Sequence, residues 1–447
     1  MRERLLRLLP RGRFARRLAW LSGGTLFGQL ILLAAMPLIT RLFTPEDFGL
    51  FGVLSALNGI FGLVMAGRYE FAIPLADKDD EAAALVVLAG VVTLFLTLLS
   101  LLLVWALGDA LAQLTGMPAL VPLLWLVPPI LLATGLGHPL EYWSIRRGTL
   151  RLNGFSRVVQ FGGQAASQAG LGVAGTGALG LTLGYGLGYL GRFIVFLVTL
   201  SRADRAAMKA ARPSQIRGLA WSHRYYPTYS SGSSLLKSTT LFLPTILFAM
   251  LYGPAVAGAF NLAQRILTVP VRFLSTSASQ AFLAEAAQRP AAGVMRLFIR
   301  TVPRFLALGC VGMAPILLAG PDLFVLLFGE PWRDAGGFAQ ALVAVQLARF
   351  ITMPVSQAFN VFGRQDLDFT TSLLNGLALV VSFCLIGWFE LTAFTAVLLY
   401  SLATALSQLA TLSLAWRTTR HAAANAVTAG SSPPNRPSES PTAGIEE

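Results

Sequence analysis

Residues 41–51 read RLFTPEDFGLF, and residues 250–260 read MLYGPAVAGAF. The two stretches share Leu42/Leu251, Pro45/Pro254, Gly49/Gly258 and Phe51/Phe260 at one constant offset. Carried back without gaps, the match adds Ser22/Ser231, Gly23/Gly232, Leu26/Leu235, Leu32/Leu241 and Leu38/Leu247. Leucines recur in any apolar helix, so the weight falls on Pro-x-x-x-Gly-x-Phe. Proline suits the first turn of a helix, where its missing N–H costs nothing. Glycine lets two backbones come close. Two readings follow: an internal repeat, or a chance likeness between two helical hairpins.

The rest of the chain supplies the context. Hydrophobic residues make up 55% of it and charged residues only 12%, with a mean hydropathy of +0.65. Soluble domains carry about 25% charged residues, so lipid is the expected solvent for most of this chain. Twelve apolar runs are long enough to span a bilayer: 18–40, 47–67, 83–107, 119–142, 154–174, 177–201, 226–251, 254–279, 300–320, 338–362, 368–389 and 392–416. Their length, and the lack of alternation, favour helices over barrel strands. Each copy of the repeat falls between the first and second span of six. An even number of spans per half gives both copies the same orientation, which predicts parallel repeats about an axis along the membrane normal, a plan used by transporters.

The expected fold is therefore all-α and polytopic, with 12 transmembrane helices in two parallel, pseudo-symmetric six-helix bundles. The first bundle covers 18–201 and the second 226–416. They are joined by a polar cytoplasmic linker at 202–225, preceded by a basic cytoplasmic segment at 1–17, and followed by a Ser/Pro-rich, disordered cytoplasmic tail at 417–447. The apolar stretch after the basic segment runs to Thr40 without a small-residue cleavage site, so it reads as a retained first helix.

With the N-terminus inside, twenty-five of the 34 basic residues fall on the cytoplasmic side and two, Arg41 and Arg333, outside. That asymmetry is the positive-inside signature. It accounts for the net charge of +13 by membrane orientation and weakens any nucleic-acid reading.

Charges at bilayer depth are costly and face a bundle interior or a water-filled cavity. Here they recur at helical spacing. One stripe is Arg157, Gln160, Gln164 and Gln168; a second is Ser230, Ser233, Ser234, Lys237 and Thr240; a third is Asn261, Gln264, Arg265, Thr268 and Arg272. A fourth is Gln346, Arg349, Thr352, Ser356 and Asn360, and the fourth span ends in Thr134, His138 and Glu141. Each stripe reads either as helix–helix hydrogen bonding or as the lining of a polar cavity. Where cations are present the cavity reading is preferred. Lys237, Arg265 and Arg349 are the deeper cations; Arg157 and Arg272, nearer the span ends, could also snorkel to an interface. Together they suit an anionic headgroup, with Arg gripping phosphate by a fork and Lys as a point charge. Gln160, Gln164, Gln168, Asn261, Gln264 and Gln346 suit sugar hydroxyls. Glu70, Glu141 and His138 are candidates for ion coupling, each set against a structural alternative: for Glu70, a pair with Arg68.

Other motifs are absent or misleading. GTGALG at 175–180 fits G-x-G-x-x-G but has no strand before it. Its glycines continue through Gly184 and Gly188 as a ridge for close helix packing. No phosphate-binding loop, nucleophile elbow or His/Cys cluster is present, so neither a cofactor nor a metal is expected. Cys310 and Cys384 read as small buried hydrophobes. The segment GPDLFVLLFGEPWRDAGG (320–337) reads as re-entrant or surface-lying.

RLFTPEDFGLFGVLSAL, GRYEFAIPLADKDDEAA, AGAFNLAQRILTVPV, LFVLLFGEPWRDAG and FNVFGRQDLDF resemble, in order and spacing, the polysaccharide-biosynthesis flippases. These are Wzx-like transporters within the multidrug/oligosaccharidyl-lipid/polysaccharide (MOP) exporter superfamily. The resemblance covers roughly 15–415. It implies two six-helix bundles about a cationic central cavity, alternating access, and an undecaprenyl-pyrophosphate-linked oligosaccharide moved to the periplasmic leaflet of a bacterial inner membrane. The chain would be a transporter and not an enzyme, with that lipid-linked sugar, membrane lipid, a polysaccharide polymerase and glycosyltransferases as partners. A multidrug exporter of the same superfamily, and a membrane glycosyltransferase or polymerase, are the competing classes.

Overall fold

The computed structural model describes residues 13–428. The basic segment at 1–12 and the tail at 429–447 lie outside the described residues. Twelve long helices follow one another: α1 (Arg13–Leu42), α2 (Pro45–Phe61), α3 (Asp79–Thr115), α4 (Val127–Arg146), α5 (Leu150–Val173) and α6 (Gly177–Thr199), then α7 (Ser231–Tyr252), α8 (Pro254–Ala286), α9 (Ala291–Phe328), α10 (Arg333–Val355), α11 (Gln365–Phe389) and α12 (Ala393–Thr428). All twelve expected spans are present. Ten stretches are apolar enough to qualify as membrane spans on length and composition alone. The two long helices that fall short are α5 and α8, which carry the polar stripes with Arg157 and Arg265.

The start of the tail is corrected: α12 continues through Thr428, past the expected disordered tail at 417. Residues 320–337 form a helical hairpin: α9 is kinked at Ala319 (φ −139°, ψ 30°) and runs on to Phe328, Gly329 turns the chain at φ +101°, and α10 follows after one 3-10 turn, with the backbones of Gly320 and Gly336 in close approach. Trp332 in that turn is fully buried, donates from Nε1 to the carbonyl of Thr40 at 2.9 Å, and packs edge-on against Phe48.

The chain forms two compact units. One holds residues up to 269 together with 316–342 and 379–399; the other holds 270–315, 343–378 and the chain from 400. The second unit has its own core of Phe282, Val294, Phe298, Val355, Phe359 and Ala415.

In the first unit the two copies of the repeat meet. A Cβ on Gly49 would lie 1.8 Å from the carbonyl oxygen of Pro254, and one on Gly258 would lie 1.9 Å from that of Pro45. The contact is reciprocal: each copy's glycine receives the other copy's proline. A chance likeness gives no reason for that exchange, whereas a two-fold repeat requires it. The start of α2 is also fixed locally. Thr44 caps α2 in a capping box with Asp47, and the other Asp47 oxygen accepts the backbone N–H of Ala178 at 2.8 Å, tying α2 to the start of α6.

The glycine ridge behaves as read. Sites for a Cβ on Gly184 and Gly188 are occupied by Gln168 and by Gln160 with Gln164, so α6 lies directly on α5. Cys310 and Cys384 are exposed on apolar helices, not buried as expected; a small apolar side chain is as soluble in lipid as in a core.

Candidate functional site

Side chains from five helices of the first unit supply one polar cluster. Thr134, His138 and Glu141 stand at i, i+4 and i+7 on α4. Tyr185, Tyr189 and Arg192 repeat that spacing on α6. Arg157 comes from α5, Asn58 from α2 and Arg265 from α8.

Glu141 is the hub. Its carboxylate accepts from Arg157 Nη2 at 3.1 and 3.4 Å, and from Arg192 Nη2. Arg192 is 1% exposed, and a guanidinium is tolerated so deep because a carboxylate meets it. Its Nε has no hydrogen-bond acceptor among the described residues. Arg157, whose side chain keeps 25% of its exposure, also donates to Gln160 Oε1 at 3.3 Å. His138 lies within electrostatic reach of Arg192, Glu141, Arg157 and Arg68. Two guanidinium groups share one carboxylate, so the cluster keeps a surplus positive charge, and Arg157 is its accessible end.

A neutral chain runs beside it. Thr134 Oγ1 donates to Asn58 Oδ1 at 3.2 Å, Asn58 Nδ2 donates to Tyr185 Oη at 2.9 Å, and Tyr185 donates to Tyr189 at 3.4 Å. The charge of Arg265 acts on both tyrosine hydroxyls. Arg265 is half-buried.

The structure redistributes the residues singled out in the sequence. Arg157, Glu141 and His138 come together, and Arg265 stands over the tyrosines. Glu141 is committed to two arginines, which leaves it poorly suited to carry a coupling ion. Gln160, Gln164 and Gln168 are each 1% exposed. Gln168 Nε2 donates to the Leu181 carbonyl at 2.9 Å and Gln164 Nε2 to Gln168 Oε1 at 3.4 Å. Gln168 thus bonds α5 to α6, and Gln160 and Gln164 pack against Gly188 of the ridge, so all three are taken up in helix packing. Gln346, in the other unit, is also 1% exposed. Asn261 and Gln264 remain half-buried, and Lys237 is exposed on α7. In the other unit Arg349 is half-buried and Arg272 exposed. Arg192, Tyr185, Tyr189 and Asn58 escaped the sequence reading. The signal was the i, i+4, i+7 spacing in YGLGYLGR, obscured by the glycines between.

Glu70 sits just after α2, outside the membrane spans, in a 3-10 turn that follows two left-handed residues, Gly67 and Arg68, both at φ +61°. For a non-glycine residue that conformation costs roughly 1–2 kcal/mol; stacking of the Arg68 guanidinium 4.2 Å from the Phe71 ring helps to hold it. The Glu70 carboxylate is 1% exposed, 3.8 Å from Arg68 Nη1, and its Oε2 has no donor among the described residues. Burial pushes its pKa up to about 7, although its own backbone N–H and Arg68 pull it down. A raised carboxylate stabilises the fold fully below its ordinary value near 4.5, and that contribution is lost as pH rises through 7. Glu70→Gln is therefore expected to match the parent near pH 4 and to be more stable by about 3 kcal/mol at pH 8. Thermal unfolding in detergent at the two pH values checks this; equal pH dependence in both proteins would exclude it.

A family profile described as "Polysaccharide biosynthesis protein" matches residues 38–336. No curated protein matches the chain. Among solved structures, the chain is similar to an inward-facing multidrug resistance MATE family transporter of the MOP superfamily, with a TM-score of 0.69 and 14% identity over 90% of this chain and 96% of that one. It is similar to the lipid II flippase MurJ in an inward closed conformation, with a TM-score of 0.67 and 12% identity over 91% and 90%. A MOP superfamily transporter from Pyrococcus furiosus, described as having a binding pocket of reversed polarity, gives a TM-score of 0.59 and 14% identity over 92% and 96%. At such identities the likeness is one of fold.

Proposed function

We propose that this chain, which belongs to the polysaccharide biosynthesis protein family and has the fold of MOP superfamily transporters, is a flippase for lipid-linked oligosaccharides. Its cargo is an undecaprenyl-pyrophosphate-linked repeat unit of a surface polysaccharide. It moves from the cytoplasmic to the periplasmic leaflet of a bacterial inner membrane, with both termini of the protein in the cytoplasm. The six-helix halves, 18–201 and 226–416, rock about the substrate, and a polymerase and glycosyltransferases act on either side of the step.

The observation that carries the reading is the surplus of cations at membrane depth. Glu141 stands against Arg157 and Arg192, and Arg265 lies beyond the tyrosines. A pyrophosphate is the ligand such a surplus suits, because guanidinium binds phosphate oxygens in pairs. Arg157 and Arg265 take the headgroup, with Lys237 as a further cationic contact. Tyr185, Tyr189, Asn261 and Gln264 face the sugars, with Asn58 buried behind Tyr185 as its hydrogen-bond donor. Glu70, with its protonation near neutrality, carries the coupling proton. An exporter of cationic drugs would be served by an acidic cavity, which this cluster is not.

Arg265→Ala is expected to abolish surface polysaccharide in a strain lacking the native gene, with the protein present in the membrane at its usual level, while Arg265→Lys retains a partial activity. Normal polysaccharide from Arg265→Ala would refute the headgroup assignment. Drug resistance on overexpression, with glycan unchanged, would favour the exporter.

A further inference from the structure

A second surface lies on residues 212–229, at the end of the first unit where α4 closes and α5 begins. The helix Arg202–Lys209 is held by Asp204, which accepts from Arg147 Nε at 3.0 Å. Arg147 also donates to Asp79 at 2.8 Å. The helix Pro213–Ser222 packs Ile216, Leu219 and Ala220 against the core formed by Tyr69, Ile73, Leu85 and Trp143. Tyr69 Oη donates to the Ala220 carbonyl at 3.3 Å. The inward face of this segment is thereby fixed, and so is the direction of the opposite one.

That opposite face carries Arg217, Trp221, Arg224, Tyr225 and Tyr229. Trp221, Tyr225 and Tyr229 are 71%, 65% and 70% exposed. They are pre-arranged: the Arg224 guanidinium stacks 4.5 Å from the Trp221 ring, and Tyr225 stacks on Tyr229 with centroids 5.2 Å apart. No acidic residue occurs in sequence between Asp204 and Glu285. The row runs directly into the membrane span that begins at Tyr226, so the aromatics stand at headgroup level. Tryptophan and tyrosine favour that depth, where the ring meets apolar chains and the polar atom meets water. Basic residues there are drawn to anionic lipid.

We infer that Arg212–Tyr229 is an interfacial anchor that binds the anionic phospholipid surface of the leaflet on this side, which the distribution of basic residues makes the cytoplasmic one. The aromatic row sets its depth and Arg217 and Arg224 set its preference for negative headgroups. The anchor does not rest on the flippase reading, and its test is read without transport, so the two can fail separately.

The test uses the full-length protein in nanodiscs, with Cys310 and Cys384 replaced by serine and an environment-sensitive dye on Thr228→Cys, an exposed position between the tyrosines. As phosphatidylglycerol replaces phosphatidylcholine, the dye is expected to move into a less polar environment, and 0.5 M salt is expected to reverse the shift. Arg217→Gln and Arg224→Gln should each raise the phosphatidylglycerol fraction at half-response by about fivefold, while Arg224→Lys stays near the parent. The comparison of lipids on the parent alone remains decisive if a variant fails to fold. An identical dye response in both lipids would overturn the inference. So would a response that appears only with added oligosaccharide, which would make the row a sugar-stacking platform, or one that scales with the number of copies per disc, which would make it a self-association surface.

Discussion

Gly49→Ala and Gly258→Ala are each expected to destabilise the protein by about 3 kcal/mol, at the upper part of the range for overpacking. The reason is what the new methyl would meet. At Gly49 it falls 1.8 Å from the Pro254 carbonyl oxygen, and at Gly258 1.9 Å from the Pro45 carbonyl oxygen. Both obstacles are backbone, so no rotamer change relieves them, and the starts of α2 and α8 must move apart. Because the contacts are reciprocal, the double variant should cost less than the sum of the singles: the first methyl has already separated the helices. Gly163→Ala is the control, since nothing lies within 4 Å of its added carbon. It should be neutral or slightly stabilising, as alanine is the better helix former. Thermal unfolding of the purified proteins measures all four. If Gly49→Ala melted with the parent, the close approach of the two repeats would be wrong.

Glu141→Ala is expected to cost about 3–5 kcal/mol, the penalty for removing one side of a buried ion pair. Arg192 is 1% exposed and would be left without its carboxylate, and Arg157 would lose the same partner. Charge repulsion between the two arginines would add to the loss. Replacing both sides of the buried pair, as Glu141→Leu with Arg192→Met, should recover most of the stability, because apolar groups of similar volume remove the desolvation cost together with the attraction. Transport is expected to fail in the single variant, which lacks a stable cluster, and to survive in part in the double, which keeps Arg157 and Arg265 and with them the surplus positive charge. Melting temperature and polysaccharide export, measured side by side, separate the two effects. A stable Glu141→Ala protein would mean that Arg192 is not held as described.

Much of the fold was legible because a membrane helix must satisfy its backbone internally and present an apolar side to lipid. Length and hydropathy therefore marked all twelve spans. The helix ends were less clear: α12 continues past 417 because its last turns, though polar, have nothing to stop them before Thr428. At the corner 329–333, Gly329 and Pro331 break the apolar run. What holds it is the hydrogen bond from Trp332 to Thr40, a residue far away in sequence.

The polar stripes were found by spacing, but spacing gives only the face a residue occupies, not what stands opposite. Gln160, Gln164 and Gln168 share one side of α5 with Arg157. The glutamines meet the glycine ridge of α6 and are consumed in packing, whereas Arg157 lies where α4 offers Glu141. Arg192, buried and central, looked like one more cation within a span until Glu141 was set beside it. The number of spans, the repeat, and the helices that carry polar groups through the membrane follow from local periodicity and solvent, and all three can be read along the chain. Which charges neutralise one another, and where a surplus is left, depends on distance in space, because helices far apart in sequence supply the partners.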